Sequence, residues 1–336
     1  MSPEVMFRKN CISTKLNAVS IEAYLPLCFI VGFFFLVLGT TGYAQEKEYN
    51  ETNIKVNKFV RGTLITPYSD SLVPLVIFVM DAGEVNRDGN DRLSRNDTFK
   101  KLAITLAKRG ISTFRYDKRL LAMDNLGIQI GDLSITDFVE DTQAIVAYFH
   151  KNKSYSKIIL AGHGQGALVA MKAVNENVDG YISIAGNGQS IDKIIITQLE
   201  EQAPGLDKSA ARAFAELKVK GRASNYDPAL SSIFAYDVQP FMRTWMQLDP
   251  SAVLNTLSIP ILILQGDKDL QVSTEQALLL KEAQPNAEIH ILENMNHILR
   301  KIKGGRIANH KSYNEHWIPL MPEAVEVLVS FVLHLD

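Results

Sequence analysis

The sequence predicts an α/β fold with a mostly parallel sheet and helices on both faces. Short apolar runs, such as residues 75–80 and 260–264, alternate with longer amphipathic stretches. Apolar runs of this length are typical of strands that are buried on both faces. Their alternation with helices favours parallel strands joined by crossover helices. A third observation is a glycine-containing turn at residues 161–167, between an apolar run and a buried helix.

The first half of the pattern begins with residues 54–64. Apolar and polar residues roughly alternate there, which indicates one or two strands at the sheet edge. A helix is predicted at 97–109, and a second helix follows Ser134 and Asp137, which form a capping box. Buried strands are predicted at 75–80, 111–116, 157–160 and 181–185.

The second half begins with a long helical segment. Residues 189–255 contain amphipathic stretches without a clear strand, so we expect an inserted helical cap. Ordinary layer helices are the alternative. The cap would divide an α/β core made of residues 54–188 and 256–336. Beyond it, the pattern predicts strands at 260–264 and 288–292 and helices at 274–283 and 322–333.

Residues 1–44 are typical of a targeting segment. Basic residues precede the apolar stretch 25–38, and Gly42 and Ala44 stand where a signal peptidase requires small residues. As a helix the apolar stretch would span about 21 Å, less than a bilayer core. The segment is therefore either a cleaved signal peptide or an uncleaved membrane anchor, followed by a charged linker at 45–53. Either alternative places the folded part outside the cytoplasm: a cleaved leader gives a secreted or periplasmic protein, and an uncleaved one gives a membrane-anchored protein.

Composition limits the classes of partner. The chain has 336 residues and a net charge of −2, which argues against a nucleic-acid partner. Its two cysteines, Cys11 and Cys28, lie in the N-terminal segment, so the body has no thiolate site. The histidines show no metal-binding spacing, and we expect neither a metal nor a cofactor. Contact with a membrane is expected only through the N-terminal segment, if it is uncleaved.

Two chemically capable residues follow predicted strands. Asp269 comes after the strand at 260–264, and His297 comes after the strand at 288–292. Sites in open α/β sheets form at these carboxyl ends. In a catalytic triad the carboxylate orients the imidazole, which takes the proton of the nucleophile.

Each of these residues also has an ordinary structural interpretation. Asp269 could be a solvated turn residue, His297 a surface histidine, and His163 a structural or pocket-lining residue. The order glycine turn, Asp269, His297 is nevertheless the order of nucleophile, acid and histidine in α/β-hydrolases. We therefore interpret the arrangement as a candidate active site.

Several motifs resemble those of α/β-hydrolases, in particular secreted and periplasmic carboxylesterases and serine-aminopeptidase-like hydrolases. The resemblance covers about residues 54–335. The loop 81–90 resembles a family loop that usually reads Gly-Ser-Gly-Pro-x-Asp-Arg-Asp-Gly-Asn. Further matches are the strand end 115–119, the segment 241–250, the acid motif 265–272 and Asn296-His297. This resemblance implies the α/β-hydrolase fold.

The departures from the family pattern concentrate at the site. The turn usually reads Gly-x-Ser-x-Gly, but Gly164 stands at the nucleophile position. Asp81 and Ala82 stand where the family has Gly-Ser in the oxyanion loop. Backbone N–H groups of Ala82, Gly83 and Gln165 could still form an oxyanion hole. A carboxylate at Asp81 would oppose the developing negative charge if it pointed inward.

The resemblance implies hydrolysis of a carboxylic ester or related acyl bond through an acyl-enzyme. Glycine cannot form that intermediate, and loss of a triad serine costs on the order of 10⁶ in turnover. One alternative is a weakened hydrolase in which His297 activates a water in the space of the serine side chain. Another is a non-catalytic pseudoenzyme that binds a small acyl or apolar ligand. A deliberate replacement of the serine is a third.

Overall fold

The computed structural model describes residues 48–335, and the predicted leader lies outside these residues. The described residues form one eight-stranded, mostly parallel sheet, which confirms the predicted fold class. The strands are β1 (Tyr49–Lys55), β2 (Arg61–Pro67), β3 (Val73–Val79), β4 (Ser112–Asp117), β5 (Tyr155–His163), β6 (Gly180–Ile184), β7 (Ile261–Gly266) and β8 (Glu288–Leu292).

The strand order brings the predicted site residues to one edge. The order is β1-β2-β4-β3-β5-β6-β7-β8; β2 pairs antiparallel with β1 and β4, and every other pair of neighbours in the described sheet is parallel. The chain enters at the β1 edge, places β4 between β2 and β3, and then adds β5 to β8 in order on the other side of β3. All strands except β2 point the same way. Residues that follow β3, β5, β7 and β8 therefore meet at the carboxyl edge of the sheet, where ligands bind in such folds.

Helices cover both faces of the sheet. Within the described residues they are α1 (Thr98–Ala107), α2 (Met123–Leu126), α3 (Ile135–Asn152), α4 (Gln165–Ala173), α5 (Ile191–Gln202), α6 (Leu206–Lys220), α7 (Ser231–Phe234), α8 (Gln239–Met246), α9 (Pro250–Leu254), α10 (Thr274–Ala283), α11 (Arg306–Ser312) and α12 (Pro322–Leu333). The predicted capping box of Ser134 and Asp137 opens α3. None of the helices between residues 48 and 335 is long and apolar enough to cross a membrane.

The core has two layers because apolar runs supply side chains to both faces of the sheet. In β3, Leu75 and Ile77 pack with α3 and α4, whereas Val76 and Phe78 pack with α1 and α12. All four side chains are at most 1% exposed. An uninterrupted apolar run, rather than an alternating one, is therefore what this strand requires.

Helices α5 to α9 connect β6 to β7, and several of them share an apolar cluster that includes Phe214 and Phe234. The division into core and cap remains a prediction. At the other end, β1 begins at Tyr49 and takes in residues that we assigned to the linker 45–53. This boundary was wrong because most side chains of this edge strand are polar and exposed, so no apolar pattern marks it.

Candidate active site

The turn between β5 and α4 is the tight, strained bend that the sequence predicts. Gly164 lies there with φ +55° and ψ −119°, a conformation that glycine adopts most readily. The flanking glycines are required by close packing. A Cβ atom on Gly162 would lie 2.2 Å from the carbonyl oxygen of Gly166, and a Cβ on Gly166 would lie 2.1 Å from that of Val79.

Asp269 and His297 lie in contact next to this turn. The Nδ1 of His297 donates to Oδ2 of Asp269 at 2.7 Å, the contact by which a triad carboxylate orients the imidazole. Backbone N–H groups of Gln271 and Val272 hold the other carboxylate oxygen at 2.7 and 3.0 Å. Both site side chains are at most 2% exposed. The imidazole orientation is therefore fixed, with its Nε2 directed toward the turn.

Asp81, at the start of the loop that follows β3, completes the site. Its Oδ1 accepts hydrogen bonds from the N–H groups of Ala82 and Gln165, both at 2.7 Å. Its Oδ2 lies 3.1 Å from Nε2 of His297. The carboxylate thus points inward and bridges the two expected oxyanion donors and the histidine. The third expected donor, the N–H of Gly83, is not among the described groups that donate to this carboxylate.

The Asp81 carboxylate fills the position of a nucleophile side chain. A Cβ atom built on Gly164 would lie 1.9 Å from Oδ1 of Asp81 and 2.3 Å from its Cγ. Atoms cannot approach so closely, so this carboxylate position and a side chain at residue 164 exclude each other. The carboxylate takes the space in which one of our alternatives placed a water. The sequence shows that residue 164 is a glycine without a side chain. It does not show that the side chain of Asp81 occupies the space beside that glycine.

The three charged groups shift each other's pKa values. Burial opposes protonation of His297, but the charges and hydrogen bonds of Asp269 and Asp81 outweigh it and raise the pKa of His297 to about 10. Burial alone would raise the pKa of Asp81, yet contact with His297 holds it well below the usual range. The pKa of Asp269 is lowered in the same way. Near neutral pH the site is therefore an imidazolium between two carboxylates.

His163 lies below the site and has a structural role. Its Nε2 donates to the carbonyl oxygen of His297 at 2.9 Å. Burial and the nearby His297 charge lower the pKa of His163 to about 4, so it is neutral. Ligand atoms of Asp81, His163 and His297 lie within 4.8 Å of one another, a grouping that could hold a metal ion. The hydrogen bonds described above already pair these groups, and we do not assign them as ligands.

The loop that carries Asp81 is braced by the end of β4. The buried Lys118 donates its Nζ to the backbone carbonyl of Asp81. Two ion pairs tie the rest of the loop to the strand: Arg87–Asp117 and Asp88–Arg115. Residues of the family-like motif 115–119 therefore hold the loop 81–90, and with it Asp81, in position.

A small cavity opens beside the site. It has a volume of about 130 Å³ and is bounded partly by Asp81, His297 and Tyr313. Val85, Phe99 and Ile298 form the apolar part of its walls, and polar side chains that include Ser94 and Asn96 form the rest. Burial raises the pKa of Tyr313, so its hydroxyl stays protonated. Tyr313 follows α11, a helix that we did not predict, and no motif in the sequence identified it.

Comparisons with known proteins point to esterase-like hydrolases. A family model described as serine aminopeptidase, S33, matches residues 94–301. The chain is 25% identical over 287 residues to the esterase EstD of Thermotoga maritima, and the match covers 80% of this chain and 66% of that protein.

Among solved structures, Est1E from Butyrivibrio proteoclasticus superposes with a TM-score of 0.52 at 16% identity, covering 84% of this chain and 99% of that one. A puromycin-hydrolyzing peptidase of Mycobacterium tuberculosis gives 0.53 at 13% identity, covering 86% of this chain and 40% of that one. At these identities the structural likeness concerns the fold.

Proposed function

Because the chain belongs to the serine aminopeptidase S33 family of α/β-hydrolases, we propose that it is a carboxylesterase-type hydrolase with weak or absent serine-type ester hydrolysis. The observation that carries this proposal is the position of the Asp81 carboxylate. It stands where a serine side chain at residue 164 would stand, and it accepts hydrogen bonds from two of the three expected oxyanion donors.

An ester substrate would have to displace this carboxylate. Its carbonyl oxygen needs the N–H groups of Ala82 and Gln165, which already donate to Asp81 at 2.7 Å. Hydrogen bonds to charged groups contribute about 1.5–3 kcal/mol each. Displacement would also leave the protonated His297 without one of its two partners. Binding energy that should stabilise the transition state would instead be used to open the site.

A panel of short and long nitrophenyl esters tests the proposal. We expect weak or absent activity from the natural chain, which lacks the serine, and from the Gly164→Ser variant, whose new side chain meets Asp81. The double variant Asp81→Gly/Gly164→Ser removes the obstruction and restores the family's glycine, so it should gain at least ten-fold, about 1.4 kcal/mol of barrier. Adding His297→Ala should abolish the gain. Efficient ester hydrolysis by the natural chain would contradict the proposal.

A second candidate is a pseudoenzyme that binds a small apolar ligand. It is favoured by the apolar part of the cavity wall, formed by Val85, Phe99 and Ile298. The charged groups beside it, His297 and its two carboxylate partners, are already paired with one another. A neutral ester or alcohol fits better than a free carboxylate, which Asp81 would repel. Thermal stabilisation by 1-butanol but not by butyrate would support this function, and equal effects of both would argue against it.

The cellular setting is also a proposal. The leader pattern at residues 1–44 supports a secreted or periplasmic protein, or one anchored with its domain outside the cytoplasm. A small-molecule ester or related ligand is the partner that the candidate site supports. The near-neutral charge gives no support for a nucleic-acid partner.

A further inference from the structure

We propose that Asp81 is itself a nucleophile, and that the chain hydrolyses small molecules with a leaving group on a saturated carbon. This inference rests on the proposed loss of the serine route at the same site. In place of the missing serine hydroxyl, the nucleophile would be the Asp81 carboxylate, which already contacts His297. Carboxylates serve as enzyme nucleophiles when they are ionised and held in place.

The two carboxylate oxygens have different surroundings. Oδ1 accepts both backbone N–H groups at 2.7 Å and is fixed. Oδ2 has only the longer contact of 3.1 Å to His297. The side chain remains 18% exposed and borders the cavity. One oxygen is therefore anchored, while the other can reach a molecule in the cavity.

The position of Oδ1 determines which carbon can be attacked. Attack on an ester carbonyl places negative charge on the substrate oxygen, which then needs the oxyanion donors. The N–H groups of Ala82 and Gln165 donate to Asp81 as long as its carboxylate stays in place. Displacement at a saturated carbon creates no such oxyanion, so it proceeds without them. The occupied donors thus favour alkyl electrophiles over acyl compounds.

In the first step an Oδ2 lone pair of Asp81 forms a bond to the saturated carbon, and the bond to the leaving group breaks. The products are an alkyl ester of Asp81 and the departed anion. Asp81 is now neutral, so one of the two carboxylates that keep His297 protonated is lost. His297 then releases a proton, which goes to solvent when the leaving group is a halide and to the alkoxide when an epoxide opens.

In the second step neutral His297 takes a proton from water, whose oxygen attacks Cγ of Asp81. The resulting oxyanion forms on Oδ1, already 2.7 Å from the N–H groups of Ala82 and Gln165. This is the distance that oxyanion stabilisation requires. Collapse breaks the bond between Oδ2 and the alkyl group, and His297 protonates the departing alkoxide. The proton left on Asp81 returns to His297, and the sum is hydrolysis of the substrate to an alcohol.

Labelled water provides a direct test on the full chain. The protein is incubated with 1-bromobutane or with 1,2-epoxybutane, short probes that suit the small cavity, in water containing ¹⁸O. Because water attacks Cγ, turnover should place ¹⁸O in the carboxylate of Asp81, detected by mass spectrometry of its peptide. The two probes distinguish halide from epoxide substrates. Label in the alcohol product but not in Asp81 would overturn the proposal.

Variants provide the second readout. Asp81→Asn should lower turnover by about 10³-fold or more, whereas Asp124→Asn, the same exchange on the exposed α2, should not change it. His297→Gln should accumulate the alkyl ester, visible as added mass on Asp81. Circular dichroism establishes that each variant is folded, and the labelling result does not depend on them.

Three outcomes would refute the inference. The first is full activity in folded Asp81→Asn, and the second is loss of activity on addition of EDTA. The third is that the natural chain does not turn over either probe and His297→Gln forms no adduct. The ester panel on Asp81→Gly/Gly164→Ser uses a chain without Asp81. It therefore tests the proposed function separately from this inference.

Discussion

The exclusion between residues 81 and 164 predicts a strong thermodynamic coupling. In Gly164→Ser the new Cβ, 1.9 Å from Oδ1, must push the Asp81 carboxylate out of the site. This removes hydrogen bonds to Ala82, Gln165 and His297, and a serine at positive φ adds about 1–3 kcal/mol of strain. We expect a total loss of about 3–5 kcal/mol in the free energy of unfolding, similar to breaking a buried ion pair.

The same substitution should cost much less when Asp81 is glycine. Only the backbone strain of about 1–3 kcal/mol remains, because the obstructing carboxylate and its contacts are already absent. Urea unfolding of the natural chain, both single variants and the double variant gives the coupling energy. We expect about 2 kcal/mol, within the range for residues in contact. Additivity within about 0.5 kcal/mol would refute the interpretation that both residues use the same space.

Three further predictions follow from the site and the chain around it. The folded-state pKa of His297 is raised to about 10, so the natural chain should exceed His297→Gln in free energy of unfolding most below about pH 6.5. This difference, measured by urea unfolding, should decline toward pH 10. A difference that grows with pH would contradict the prediction. Gly166→Ala should lower the melting temperature sharply, because its Cβ would meet the carbonyl oxygen of Val79 at 2.1 Å, whereas Gly110→Ala, with nothing within 4 Å of its Cβ, should cost only the strain of its positive φ. N-terminal sequencing of the exported protein should find Gln45, and a full-length chain retained in the membrane would favour an anchor instead.

Much of the fold was predictable because its elements carry strong local signals. Buried strands such as β3 and β7 consist largely of apolar runs. The helix at 274–283, the strand at 288–292 and the helix at 322–333 have the predicted bounds. The contact of Asp269 with His297 also followed from chain order, since parallel strands place their carboxyl ends at one edge. Edge strand β1 was placed too late because its exposed polar residues lack such a signal.

The content of the site depended on side-chain direction, which sequence patterns do not encode. Asp81 points inward because its own loop is held by Lys118 and by ion pairs with β4, all of them contacts between distant segments. The sequence suggested that an inward carboxylate would harm the oxyanion hole. It did not reveal that the carboxylate would bind the hole's donors and His297 at once.

The two departures from the family pattern at residues 81 and 164 are therefore one physical change. A side chain on residue 164 would collide with the Asp81 carboxylate. Without that carboxylate, Nε2 of His297 and the N–H groups of Ala82 and Gln165 would lose the partner that they share. The carboxylate satisfies all three groups simultaneously and carries the charge that an oxyanion would carry. A site that had merely lost its nucleophile would not need a negatively charged replacement with this orientation. The arrangement is better explained by a carboxylate that has taken over the position of the nucleophile.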